Sequence, residues 1–165
     1  MASPRWCSRA IAPILACRER GVTTDSLYSA AILRLKLVGE VPARLPGPDG
    51  SATRVSPVCG SRIIADVMID GAGHVTALGL DAARACTLGQ ASAAVAADRV
   101  PGLDAAAVAA LRCDLADFLG NRREGPPAGW EAFAPARAHR ARHPSILLPL
   151  DAALAALDAA REAAA

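Results

Sequence analysis

Lysine is nearly missing from this chain: Lys36 is the only one, and arginine supplies the rest of the positive charge. Aromatic residues are scarce too, at 3% of 165 positions. A core must then be built from Ala, Val, Leu and Ile, whose small volumes favour close approach of helices to a sheet and to one another. The same scarcity removes the stacking platforms of a single-strand nucleic-acid binder, and a net charge of +2 with a pI near 8.4 supplies no strong field for phosphates. No nucleic-acid partner is expected. No apolar run approaches the roughly 18–20 residues needed to cross a bilayer, so no membrane partner is expected either. Five cysteines are present (Cys7, Cys17, Cys59, Cys86 and Cys113). Their number is odd and no pair has C-x-x-C spacing, which excludes a zinc ribbon, a thioredoxin-type motif and a disulfide framework. A reducing, cytoplasmic setting is the expectation.

What is present is a chain 53% hydrophobic, enough for one compact domain. Residues 1–23 differ from the remainder. Arginines flank a short apolar stretch interrupted by Pro13, with no clean cleavage site, so a flexible N-terminal extension is expected rather than a secretory signal. Cys7 and Cys17 then carry no function. The folded domain is expected over 24–165.

Within it, Thr24-Asp25-Ser26 offers caps for a helix from Leu27, with Leu27, Tyr28, Ala31, Ile32 and Leu35 on one face. Three strands are predicted at 52–58, 62–70 and 74–80, joined as an antiparallel meander. A helix follows over 87–99. A second, capped by Asp104, carries an apolar stripe of Val108, Leu111, Leu115, Phe118 and Leu119. Residues 130–142 read as irregular and basic. A terminal helix opens near Ser145 with Pro144 in its first turn and Ile146, Leu150, Leu154 and Leu157 inward. The fold class is α+β, a small three-stranded antiparallel sheet with helices packed on one face.

In a meander the start of one strand lies beside the end of the next. Cys59, in the loop before the second strand, and Cys86, after the third, therefore meet at one end of the sheet. Cys86 also opens a helix rich in small residues (Gly89, Ala91, Ser92, Ala93, Ala94), where helix N–H groups favour a thiolate. Cys113 reads as a packing residue on its helix, and His74 as solvent-facing beside a hairpin turn. The arginines around His139 (Arg122, Arg123, Arg137, Arg140 and Arg142) form a solvated loop or a face for an acidic partner.

Three segments carry a resemblance. Val58-Cys59-Gly60-Ser61, then Ala85-Cys86-Thr87-Leu88-Gly89-Gln90-Ala91-Ser92-Ala93, and last His143-Pro144-Ser145-Ile146-Leu147 are similar in order, spacing and context to the three cysteine motifs of the IscU/NifU-N-type iron–sulfur cluster assembly scaffold family. The resemblance spans roughly 26–160. It departs from the family at Pro144, where the third cysteine stands, and at Ser61, where an aspartate follows the first Cys-Gly pair. Arg137-Ala138-His139-Arg140-Ala141 occupies the place of the family's Leu-Pro-Pro-Val-Lys segment, so docking of an Hsp70-type chaperone is not expected.

The resemblance implies a non-enzymatic scaffold that transiently binds iron or an iron–sulfur cluster, or accepts persulfide sulfur. It implies a cysteine desulfurase and acceptor apo-proteins as partners. Cys59, Cys86 and His143 are its candidate metal and cluster ligands. A 2Fe–2S cluster wants four ligands, with histidine accepted in place of cysteine, so a fourth is open among water, an exogenous thiol, a second subunit, Ser61 and Ser145. Two thiolates and an imidazole also suit zinc, the mark of a degenerate scaffold-fold protein that binds zinc or a partner without a cluster. A Cys86–His143 hydrolytic pair is the third option, and it lacks a recognisable oxyanion hole or orienting acid.

Overall fold

A computed structural model describes residues 27–164, so the extension over 1–23, with Cys7 and Cys17, and the caps at Thr24 to Ser26 lie outside the described residues. The chain runs α1 (Ala30–Val38), β1 (Gly50–Val55), β2 (Arg62–Ile69), β3 (Val75–Asp81), α2 (Thr87–Arg99), α3 (Ala105–Leu119), two 3-10 segments (Glu131–Ala138 and Arg140–Arg142) and α4 (His143–Ala163). The sheet is the expected antiparallel meander in the order β1-β2-β3. Gly50 pairs with Val67 and Val55 with Arg62; across the second ladder Ile64 pairs with Asp81 and Ile69 with Val75.

β2 alternates as a strand buried on one face must. Ile63, Ala65 and Val67 point inward and are fully buried against α4. α4 lies unusually close to β1. A Cβ on Gly50 would sit 2.6 Å from the Ala160 amide nitrogen, which is why a glycine opens the strand and alanines (Ala156 and Ala160) meet it. This is the small-residue packing that the shortage of aromatics foretold. α2 packs against both α1 and α4, and α3 against α4. Leu115, Phe118 and Leu119 bury the α3 stripe.

Among the described residues no helix packs on the sheet's outer face. The chain after α1 runs along it, with Pro42 O accepting Leu80 N–H at 2.9 Å. Arg44 there clamps Asp66: Nη2 donates to Oδ1 at 2.9 Å, and Ser51 Oγ donates to the same oxygen at 2.6 Å. Burial pushes the Asp66 carboxyl up, and the bonds from Arg44, Ser51 and the Leu45 amide outweigh it, holding its pKa below the usual value.

Four expectations need correction. α1 begins at Ala30, capped by Ser29 Oγ on Ile32 N–H at 3.3 Å, because Ser29 is extended and closer to the apolar run. Only Ile32 of its presumed face is fully buried, while Tyr28 and Ala31 are exposed, because α1 meets little beyond α2. β1 runs 50–55 rather than 52–58, since the loop at Pro57 turns the chain away. Cys113 is exposed on the solvent side of α3 and packs in no core.

Candidate functional site

The loop between β1 and β2 is closed by two backbone bonds, Ser56 N–H to Ser61 O at 2.8 Å and Gly60 N–H to Ser56 O at 2.9 Å. Gly60 holds φ +69, the left-handed region that a glycine enters without strain, and so lifts Cys59 to the loop's tip. Arg62 N–H bonds Arg84 O at 3.1 Å, zipping the start of β2 to the segment before α2 and bringing Cys86 alongside.

The link between the two cysteines is one hydroxyl. The Cys59 thiol lies 3.0 Å from Ser61 Oγ, and that same oxygen accepts the Cys86 N–H at 3.0 Å. Cys86 is the N-cap of α2 and is half-buried, while Cys59 is exposed. A third element joins through Ser145, fully buried in the first turn of α4, whose Oγ is 3.0 Å from Cys59 Sγ. The terminal helix is held in register for this contact by Ser92 of α2. Its hydroxyl donates to Ile146 O at 2.6 Å and accepts the Trp130 indole N–H at 2.9 Å.

Burial raises the Cys59 pKa, but hydroxyls of Ser145, Ser56 and Ser61 and the Ser61 backbone N–H more than offset it, and the thiol falls to about 6. The arrangement can therefore present a nucleophilic sulfur at neutral pH beside a second thiol at a helix N-terminus.

His143 is placed differently. It opens α4, and its Nε2 lies 2.9 Å from Ala136 O of the first 3-10 segment. A backbone carbonyl on one ring nitrogen is how metal-binding imidazoles are commonly oriented, leaving Nδ1 as the free nitrogen. Among the described residues, however, no three His, Cys, Asp or Glu side chains are gathered closely enough to hold a metal ion. Cys59 and Cys86 are brought together, and the imidazole does not complete a three-ligand set with them.

Pro144 carries no donor and sits in the first turn of α4, where its missing N–H is harmless. The sequence offered Ser61 and Ser145 only as options for a fourth ligand. The structure makes both of them neighbours of Cys59, and Ser56 was not singled out at all. The clue was the spacing Ser56-x-x-Cys59-x-Ser61, serines closing both ends of a tight loop.

Of the remaining residues, His74 is half exposed and lies 3.5 Å from Asp70. Arg122 and Arg123 pair with Asp117 and Asp114, and Arg137 lies over the Phe118 ring at 5.0 Å, so three of the five loop arginines are engaged within the protein. No helix of the described residues is long and apolar enough to cross a membrane.

No protein-family model matches the sequence, and no curated protein sequence matches it. Solved structures do. The crystal structure of a nitrogen-fixing NifU-like protein (N-terminal) from Brucella abortus is similar with 32% identity and a TM-score of 0.75, over 82% of this chain and 95% of that one. A candidate iron–sulfur cluster assembly scaffold protein for the SUF system, from the thermophile Fervidobacterium islandicum AW-1, shares the fold at 16% identity and a TM-score of 0.71, over 79% of this chain and 96% of that one.

Proposed function

The chain belongs to the IscU/NifU-N-type family of iron–sulfur cluster assembly scaffolds, and on that footing we propose that it takes part in cluster assembly by accepting sulfur on Cys59 beside Cys86. The observation that carries this is the single Ser61 hydroxyl that touches the Cys59 sulfur and the Cys86 amide at once.

The geometry of the two cysteines supports a sulfur-transfer step. The Cys59 thiolate attacks the outer sulfur of a donor persulfide. The donor's S–S bond breaks, a new S–S bond forms on Cys59, and the donor leaves as a thiolate. The transferred atom keeps its oxidation state, so no oxidant or reductant is consumed. Iron and the nascent cluster are cargo, carried transiently on the two thiols with further ligands drawn from a partner, a small thiol or a reoriented His143. A ligand set this incomplete releases its cargo readily, which suits a scaffold and suits a permanent electron carrier badly. The sulfur donor in this proposal is a cysteine desulfurase and the recipients are apo-proteins, in the cytoplasm. The chain itself turns over no substrate.

Pro144 favours a second reading, a scaffold-fold protein that binds a partner or zinc and builds no cluster. Anaerobic purification followed by iron, acid-labile sulfide and zinc analysis separates the two. The proposal expects sulfide and iron after reconstitution, both lost in Cys59→Ala. Stoichiometric zinc with no sulfide uptake overturns it.

A further inference from the structure

Two hydroxyls contact the Cys59 sulfur, and a third is buried in the same closed loop. Ser61 Oγ and Ser145 Oγ each lie 3.0 Å from Cys59 Sγ. Ser56 is the third. It is 1% exposed, and its Oγ has no hydrogen-bond partner of full geometry among the described residues. A buried hydroxyl left unpaired loses its hydration without recompense, so such groups are rare unless something else meets them. Ser56 cannot be explained as a helix cap or a strand partner. Its backbone already closes the loop through Ser61 O and Gly60 N–H, leaving the side chain free.

We infer that the Ser56 hydroxyl is the donor kept for the second sulfur atom of a Cys59 persulfide, and that Ser56, Ser61 and Ser145 together form a cage for a sulfur anion. This rests on the sulfur-accepting reading above and adds to it a residue and a ligand chemistry. With Cys59 unmodified, Ser61 and Ser145 serve Sγ. Once sulfur has been transferred, the negative charge moves to the outer atom, one S–S bond farther from the backbone, and that atom needs its own donor. The hydroxyl lining also sets the preference among ligands. Hydroxyl donors stabilise an anionic sulfur, whereas a divalent cation gains far less from neutral serines than from carboxylates or thiolates. Ser56 is a positioning residue in this account, acting on the bound sulfur without forming a bond to it.

The test uses the full-length protein and inorganic tetrasulfide as the donor, with peptide mass spectrometry to follow one added sulfur on Cys59. The thiolate attacks a sulfane sulfur and the shortened polysulfide leaves. Wild type, Ser56→Ala and Ser56→Thr are compared for the lifetime of the adduct in a fixed excess of small thiol, and for iodoacetamide alkylation of the unmodified cysteine. Loss of one hydrogen bond to an anion corresponds to about a threefold to tenfold shorter adduct lifetime in Ser56→Ala, with restoration in Ser56→Thr. Alkylation of the unmodified thiol changes less than the adduct lifetime does, which a general structural defect would not produce. If wild type takes up sulfur and Ser56→Ala keeps it equally long, the role of Ser56 is overturned while the sulfur-accepting reading stands. If wild type takes up none on Cys59, both fall. Should Ser56→Ala fold poorly by melting temperature, Ser145→Ala supplies the contrast: it must impair alkylation and adduct lifetime together, and an effect on neither overturns the cage.

Discussion

At one end of the sheet, Asp49, Asp70 and Asp104 spend their carboxylates on backbone N–H groups. Asp49 takes the Ile69 amide at 2.8 Å, Asp70 those of Ala72 and His74 at 2.9 Å, and Asp104 that of Ala107 at 2.8 Å. At the other end, the Cys59 thiol donates to Ser61 Oγ and lies against Ser145 Oγ, and Ser56 has no partner of full geometry among the described residues. Both ends are polar loop clusters of similar size. One is consumed by the chain's own turns and caps, and the other holds a reactive group with donors to spare. Polar density alone does not mark a site; donors that the backbone does not need do.

The sharpest break in this comparison is Cys59→Ala. Sulfur uptake at the loop should vanish, as measured by mass spectrometry, while below pH 6, where the thiol is protonated, the exposed position leaves the melting temperature nearly unchanged. Asp104→Ala should do the reverse. Losing this N-cap costs about 1 kcal/mol, which lowers the melting midpoint by about 2–4 °C in a domain of this size, with sulfur uptake intact.

The pH dependence separates the ends again. The folded Cys59 pKa of about 6 lies below that of an unfolded thiol. The ionised form is thus favoured by the native state. The stability it contributes is fully present above the unfolded pKa and is lost as pH falls through about 6. A Cys59→Ser variant should flatten that part of the stability–pH curve, as followed by denaturant titration. Ser145→Ala should slow alkylation of Cys59 at pH 6 by about threefold, because it removes one donor to the thiolate. The smallest effect belongs to His143→Ala. Its ring is bonded to Ala136 O, so sulfur uptake stays as in wild type, and iron retention is where a loss would register.

The sequence carried the meander, because β2 is flanked by turn residues and its apolar positions leave no other register. It carried α2 to both of its ends and α3 to its cap, since Asp104 and Gly120 punctuate the stripe. It also carried the convergence of Cys59 and Cys86, which follows from meander topology alone. It did not show that a segment after α1 covers the outer face, because Arg44 and Asp66 are far apart in the chain and each looks like an ordinary surface charge. It undervalued the serines for a related reason. A hydroxyl becomes informative only when its partner is known, and the partner of Ser145 lies 86 residues away. α1 was misread at its start because Ser29, the residue that caps it, was not picked out of the sequence.

Cys113 offers an internal control, an exposed thiol on α3 remote in sequence from the three serines. The most direct test of the account is the ratio of sulfur loading on Cys59 to that on Cys113 within the same molecules, exposed anaerobically to limiting tetrasulfide at pH 6. A caged thiol with a pKa of about 6 is predicted to win by about tenfold, after allowing for the lower intrinsic nucleophilicity of a more acidic sulfur. Equal loading of the two cysteines would contradict the claim that this end of the sheet is built to take up sulfur.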